Sequence, residues 1–185
     1  DVEKDDTLKG RDGAIECYTK RFPPNLQLAG FRNPHNGKNN ILSLYNVDSE
    51  KLNKYFDIGQ QCVAVNCIHT DLQDRANGCD FDSDSIYCTN QVDIAQYAKY
   101  CYKHYPTIVN NIPKGKNCYT NAMADYALID NNLARSQLAI GESSNLAQLA
   151  LTYTYNYDDR KYKDYVCILS VLAQVSIDSA KRRYD

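Results

Sequence analysis

The chain has 185 residues, and its 21 Lys and Arg residues nearly balance its 23 Asp and Glu residues, giving a formal net charge of −2 at pH 7. Hydrophobic residues make up 43% of the sequence, which predicts one compact globular unit, or a compact piece of a larger protein, with its own core. The near-neutral charge excludes a domain that is basic over its whole surface, so any binding of nucleic acid must be local.

The sequence predicts neither a membrane span nor a disulfide-bonded scaffold. No run approaches the roughly 20 apolar residues of a membrane helix, and residues 1–13 are charged, without the apolar segment of a secretory signal. We therefore expect a cytoplasmic protein with no membrane partner. None of the 8 cysteines forms a C-x-x-C pair, which predicts reduced, mostly buried thiols rather than a disulfide framework or a zinc site.

The first half of the chain has the pattern of a mainly β region. Short apolar runs alternate there with Gly, Pro and Asn residues that favour turns. A short helix is predicted over residues 49–56 with Asp48 as its N-cap, and residues 71–78 are predicted to form a turn. Strands are predicted at residues 14–19, 26–31, 39–46 and 61–68.

From residue 90 the apolar residues recur at the period of helices. One helix is predicted over residues 92–105, ended by Pro106, and a longer one from about residue 120 to 139, broken at Gly141 and followed by a second helix. The last helix is predicted to begin at Asp158 as N-cap and to continue to about Arg183. The residues predicted to face the core in the first of these helices are Ile94, Tyr97, Ala98, Cys101 and Tyr105.

These patterns predict an α+β fold. Residues 1–90 are expected to form the β region and residues 91–185 a mainly helical layer packed on it, as one compact unit. The alternating tyrosines at 153, 155 and 157 are compatible with two roles, stacking on nucleic-acid bases or packing against the rest of the protein.

One short segment carries acids at alternate positions. Asp80, Asp82 and Asp84 lie within the sequence GCDFDSDS, and carboxylates this close raise one another's pKa unless a cation binds them. A calcium loop of the EF-hand type would need Gly and Glu where this chain has Ser85 and Gln91, which excludes that class. Oxygen ligands suit Mg²⁺, so the segment predicts a magnesium site for phosphoryl transfer, the alternative being a solvated acidic turn without function.

Several segments together resemble the catalytic double-psi β-barrel of two-barrel RNA polymerases. That family includes the RNA-silencing RNA-dependent RNA polymerases of eukaryotes and their relatives in bacteria, prophages and gut phages. It has an R-x-P element, a strand, a D-[FLY]-D-G-D loop, and later I-G-x-x-x-N and L-A-x-x-x-[AS]-[VI]-D-x-x-K segments, the last of which this chain matches with one residue fewer before the serine. The similar segments here are residues 32–35 (RNPH), 41–42 (IL), 63–66 (VAVN), 78–84 (GCDFDSD), 140–147 (IGESSNLA) and 172–181 (LAQVSIDSAK).

The resemblance implies a double-psi β-barrel-like region and a set of site residues. Asp80, Asp82 and Asp84 would ligate the catalytic Mg²⁺, or Mn²⁺ in its place. Lys181 would approach a phosphate or the acids, although by its position alone, in a basic last helical turn, it favours interaction with the helix dipole. Arg32 would support the substrate or the loop.

The resemblance also implies partners that the chain itself does not contain. These are a nucleic-acid template of DNA or RNA, nucleoside triphosphates, and further polymerase domains with a second barrel, which 185 residues are too few to include. The expected protein is therefore the catalytic-barrel portion of a phage or prophage RNA polymerase, acting in the cytosol of a bacterial host. The alternative is a noncatalytic nucleic-acid-binding or assembly module derived from such a barrel.

The chain departs from the family pattern at Ser83, where the polymerases have glycine. If that position requires a positive φ, serine adopts it at a cost in free energy, or the turn has another shape. The geometry of the metal site depends on which of these holds.

Overall fold

A computed structural model describes residues 11–113, 115–116 and 118–179. The fold is a mixed α+β fold, as the sequence predicts. Contacts divide the chain into two compact units, Asp1–Thr107 and Ile108–Asp185. The first unit includes the first long helix, which packs against its sheet.

The first unit contains a curled, five-stranded mixed sheet with the strand order β4-β1-β3-β2-β5. Strands β1 and β3 run parallel, and the other neighbours are antiparallel. All four predicted strand regions contain a strand, but β5 follows the acidic segment and was not predicted. The strands are β1 (Ile15–Tyr18), β2 (Leu26–Phe31), β3 (Leu42–Asn46), β4 (Ala64–Val65) and β5 (Tyr87–Thr89).

The two faces of the sheet contact different parts of the core. Leu28 and Ala29 of β2 point to opposite faces because successive side chains of a strand alternate. Ala29 packs on Ala98 and Cys101 of helix α3, which spans Val92–His104. The buried residues of the other cluster are Ile15, Cys17, Leu28, Leu42, Leu44, Leu72, Ala76 and Cys79.

Helix α3 ends just before Pro106, as predicted, but its buried face is narrower than predicted. Ile94 and Tyr97 are exposed, and the small residue Ala95 is buried in their place. Small side chains on the buried face allow the helix to approach the sheet closely. The larger apolar residues therefore lie on its outer side.

Two short helices flank β4. Helix α1 (Glu50–Tyr55) is capped by the Ser49 hydroxyl, which accepts a hydrogen bond from the backbone N–H of Leu52, so the prediction of Asp48 as the cap is wrong by one residue. Helix α2 (Leu72–Arg75) forms where a turn was predicted. Its Arg75 is only 3% exposed, and its guanidinium binds the Asp71 carboxylate and backbone carbonyls, which fixes this single helical turn.

The second unit is a hairpin of two helices, α4 (Met123–Tyr157) and α5 (Arg160–Asp178). The predicted break at Gly141 is wrong, because α4 continues through it. Asp158 is the C-cap of α4 and has a left-handed backbone conformation with φ 43°. The N-cap of α5 is Asp159, whose carboxylate accepts a hydrogen bond from the backbone N–H of Lys161. The prediction of Asp158 as this N-cap is therefore wrong by one residue. Good helix formers on both sides of Gly141 and packing against α5 outweigh the glycine.

The tyrosines near the turn between α4 and α5 contact one another. The ring of Tyr153 stacks on Tyr157 and Tyr162, with ring centroids 5.7 and 5.3 Å apart. All three tyrosines of the alternation are exposed, so these contacts do not decide between base stacking and packing against another part of the protein. No described helix is long and apolar enough to cross a membrane.

All eight cysteines are free thiols. Cys17, Cys79 and Cys101 are buried, as predicted for small apolar side chains. The prediction that most are buried is wrong for the exposed residues Cys62, Cys118 and Cys167.

Replacing Gly141 by alanine is expected to raise the free energy of unfolding by about 0.5–1 kcal/mol, because alanine is the better helix former. An added Cβ meets no atom within 4 Å. Urea denaturation measures the change. Gly78→Ala is the matched control: it has equal space but a φ of +74°, so alanine is strained there and should destabilise the protein. A loss of stability in Gly141→Ala would contradict a continuous α4.

Candidate metal centre

The three acids of the GCDFDSD segment converge on one point. One carboxylate oxygen of each of Asp80, Asp82 and Asp84 lies within 4.8 Å of the other two. We call residues 79–86 the acidic loop. Oxygen atoms at this spacing are the ligands that hard divalent cations such as Mg²⁺ and Mn²⁺ prefer, so the donor set fits the predicted ion.

The base of the acidic loop is fixed by backbone geometry and buried amides. The chain leaves α2 through Asn77 and Gly78, both with positive φ, and the N–H groups of Gly78 and Cys79 donate to the carbonyl of Gln73. The side-chain amide of Asn77 donates to the carbonyl of Pro34 and accepts from Asn40. These hydrogen bonds join the loop to the RNPH segment.

Arg32 of that segment binds the acidic loop directly. Its Nη2 donates to Oδ1 of Asp84 at 2.8 Å, and its Nη1 donates to the carbonyl of Ala76 at 2.8 Å. The second carboxylate oxygen of Asp84 accepts from the backbone N–H of Asp80 at 3.0 Å. The pair is shielded, since the side chains of Arg32 and Asp84 are 12% and 22% exposed. The carboxylate of Asp84 therefore bonds both the side chain of Arg32 and the backbone of Asp80.

These contacts keep Asp84 ionised. Burial acts to raise the pKa of Asp84, but hydrogen bonds from Arg32 and from the N–H of Asp80, together with the charge of Arg32, lower it below its usual value. Burial, assisted by the charge of Asp84, raises the pKa of the adjacent Cys79 thiol to about 11 even though Arg32 opposes this. The acidic loop thus presents carboxylates beside a neutral thiol.

Asp82 differs from Asp84 in its surroundings. Among the described residues no hydrogen-bond partner or ion pair of its carboxylate is found, and the side chain is exposed. Asp84 has both oxygens engaged, but each carboxylate oxygen has a further lone pair for a metal. Ser83 does not adopt a positive φ, so serine is accommodated at this position without left-handed backbone strain.

A cavity of 510 Å³ lies beside the acidic loop, within the size range of about 300–1,000 Å³ typical of ligand sites. Asp80, Ser83 and Asp84 line one part of its wall, and Arg21 lines it from the loop between β1 and β2. Sequence reasoning missed Arg21. The only feature of the sequence that could have pointed to Arg21 is its position as a basic residue just after a predicted strand and before the Pro23-Pro24 turn.

The later segments of the resemblance lie in the second unit or outside the described residues. Lys181 lies outside the described residues. Residues 140–147 are in the interior of α4, and residues 172–178 belong to α5, both in the second unit. The structure therefore joins Arg32 to the three aspartates, and nothing in it assigns a role to the later segments.

The comparisons with known proteins give no match. No protein-family model fits the chain, and no characterised protein or solved structure is significantly similar to it. The function therefore has to be argued from the residues and geometry of the acidic loop.

Proposed function

We propose that the chain is the catalytic-barrel portion of a template-dependent RNA polymerase, in which Asp80, Asp82 and Asp84 hold the Mg²⁺ that serves nucleotidyl transfer. The observation that carries the proposal is the convergence of the three carboxylates beside a cavity, with Arg32 of the RNPH segment bonded to the third of them. An isolated acidic turn would need neither the shielded arginine nor the cavity.

The sheet topology supports this assignment. Arg32 directly follows β2, and the acidic loop directly precedes β5. Because β2 and β5 are antiparallel neighbours, with Phe31 opposite Tyr87, these two ends meet at one edge of the sheet. The two motifs that the polymerase family combines in its catalytic barrel are thus neighbours here, and we propose that the curled sheet is part of a double-psi β-barrel.

The chemistry of RNA synthesis suits the side chains of the acidic loop. A bound Mg²⁺ would lower the pKa of the attacking 3′-hydroxyl and neutralise charge on the transferring phosphate. The three aspartates would hold that ion, and Arg32 would orient Asp84 through the hydrogen bond at 2.8 Å. The proposed partners are the nucleic-acid template, nucleoside triphosphates, and further polymerase domains including a second barrel, in a phage-infected or prophage-bearing bacterial cytosol.

Titrating Mn²⁺ and Mg²⁺ while following thermal unfolding tests the metal site. A cation that binds only the folded chain should raise its stability in a saturable way, by about 2.7 kcal/mol at 100 times the Kd. Asp82→Asn should remove most of this response. Asp57→Asn, which removes an exposed carboxylate elsewhere in the first unit, should retain it. No response to millimolar metal would contradict the proposal and favour the noncatalytic binding or assembly module.

A further inference from the structure

The cavity beside the acidic loop contains a cation that the metal site does not use. Arg21 lines the cavity, and its Nη1 donates to Oε1 of Gln61, also a lining residue, at 2.9 Å. The charge of Arg21 acts to lower the pKa of the Cys88 thiol, although burial raises that pKa overall. The guanidinium therefore acts on the interior of the cavity.

The backbone that carries Arg21 is held firmly. The side chain of Asn46 in β3 is 1% exposed, and its Nδ2 donates to the carbonyls of Thr19, Phe22 and Pro23 at 3.1, 2.9 and 3.0 Å. Its Oδ1 accepts from the N–H of Thr19 at 2.9 Å. One buried amide thus fixes the backbone on both sides of Arg21, so a ligand would not have to order this loop, although the Arg21 side chain itself is exposed.

Among the described residues Arg21 has no carboxylate partner, in which it differs from four other cations of the first unit. Lys20, Arg32, Arg75 and Lys103 each form an ion pair. Among the described residues Arg21 forms none, although acids and Arg21 line the same cavity. Opposite charges that share a cavity without neutralising each other suit a ligand that carries both a cation and anionic groups.

We propose that Arg21 binds the phosphate groups of a nucleoside triphosphate whose metal ion is held by the acidic loop. This rests on the proposed function, because the metal at the loop is what brings the phosphates into the cavity. Guanidinium groups bind phosphate with paired N–H donors, and the backbone that carries Arg21 is already ordered. The catalytic barrel then supplies a basic substrate contact of its own, beside those expected from a second barrel.

The test uses the 185-residue chain and two calorimetric titrations. Mn²⁺ alone reports on the acidic loop, and inorganic tripolyphosphate or ATP in saturating Mg²⁺ reports on phosphate binding. Arg21→Gln should weaken tripolyphosphate and ATP binding about tenfold, the loss of one charge-assisted contact, while Mn²⁺ binds no more weakly than to the unaltered chain. Arg21→Lys should recover part of the loss.

Lys20→Gln is the matched control, because it removes the neighbouring positive charge, does not line this cavity, and has Asp57 as its ion-pair partner. Equal phosphate affinity of the Arg21→Gln and unaltered chains overturns the inference, as does an equal loss in Lys20→Gln. Absence of Mn²⁺ binding overturns the proposed function instead. In that case tripolyphosphate is titrated into the chain in EDTA. If Arg21→Gln weakens this binding and Lys20→Gln does not, the phosphate-binding role of Arg21 is supported. If the unaltered chain does not bind tripolyphosphate, that role is overturned.

Discussion

On the proposed function, Asp82→Asn is expected to abolish RNA synthesis by the full-length protein while leaving this chain folded. The substitution removes one negative ligand and keeps the shape of the side chain. Loss of a metal ligand of this kind should lower the rate about a thousandfold or more, which corresponds to about 4 kcal/mol in the activation free energy. Asp82 is the informative position because its carboxylate has no hydrogen-bond partner among the described residues.

Primed and template-directed nucleotide incorporation measures this effect, with circular dichroism to verify folding. Asp57→Asn should retain full synthesis, because Asp57 pairs with Lys20 and is not one of the three converging acids. Asp84→Asn would be a poorer test, since it also disturbs the bonds to Arg32 and to the N–H of Asp80. Synthesis at the normal rate by Asp82→Asn would refute the metal role of the acidic loop.

Arg32→Met is expected to lower the free energy of unfolding by about 2 kcal/mol, because it leaves Asp84 and the carbonyl of Ala76 without their shared donor. Methionine keeps most of the aliphatic stem, so the loss reports on the hydrogen bonds. Mn²⁺ binding should weaken as well, since Asp84 would no longer be held in place. Lys103→Met is the matched control: its ion pair with Asp12 has the same length of 2.8 Å but is exposed to solvent, so its loss should change the stability little.

The pH dependence of this difference follows from the sign of the pKa shift of Asp84. Its pKa in the folded chain lies below the usual 3.8, so its ionised form contributes stability that is fully present above that value and is lost as pH falls through the lower folded pKa. Arg32→Met removes the group that lowers this pKa. The stability gap between the two proteins should therefore be largest near neutral pH and narrow below about pH 4, and a gap independent of pH would contradict the role of the ion pair.

The sequence predicted the elements whose signals are local. Strand β2 coincides with the predicted 26–31, and α3 ends before Pro106, as the proline requires. The predicted N-caps Asp48 and Asp158 were each wrong by one residue. In both cases the next residue along the chain can also cap a helix, and only tertiary packing decides between the two. Gly141 was misread because a single glycine costs less than the packing of a long helix provides.

What the sequence could not predict depends on contacts between distant segments. Strand β5 has only three residues and exists through its pairing with β2, far from it in the chain. The motif resemblance placed Arg32 near the acids, but its partner Asp84 emerged only from the fold. Arg21 could not be identified because the cavity that it lines forms where the β1–β2 loop, residues 60–63 and the acidic loop meet.

The pairing of β2 with β5 also limits how the acidic loop can vary. The loop is anchored at its start by the hydrogen bonds to Gln73 and at its end by the register that sets Gly30 opposite Cys88. Inserting or deleting one residue between these anchors would shift β5 by one position and turn Cys88 away from the core that it now contacts. Substitution can therefore change the chemistry of the acidic loop, but its length is set by the sheet.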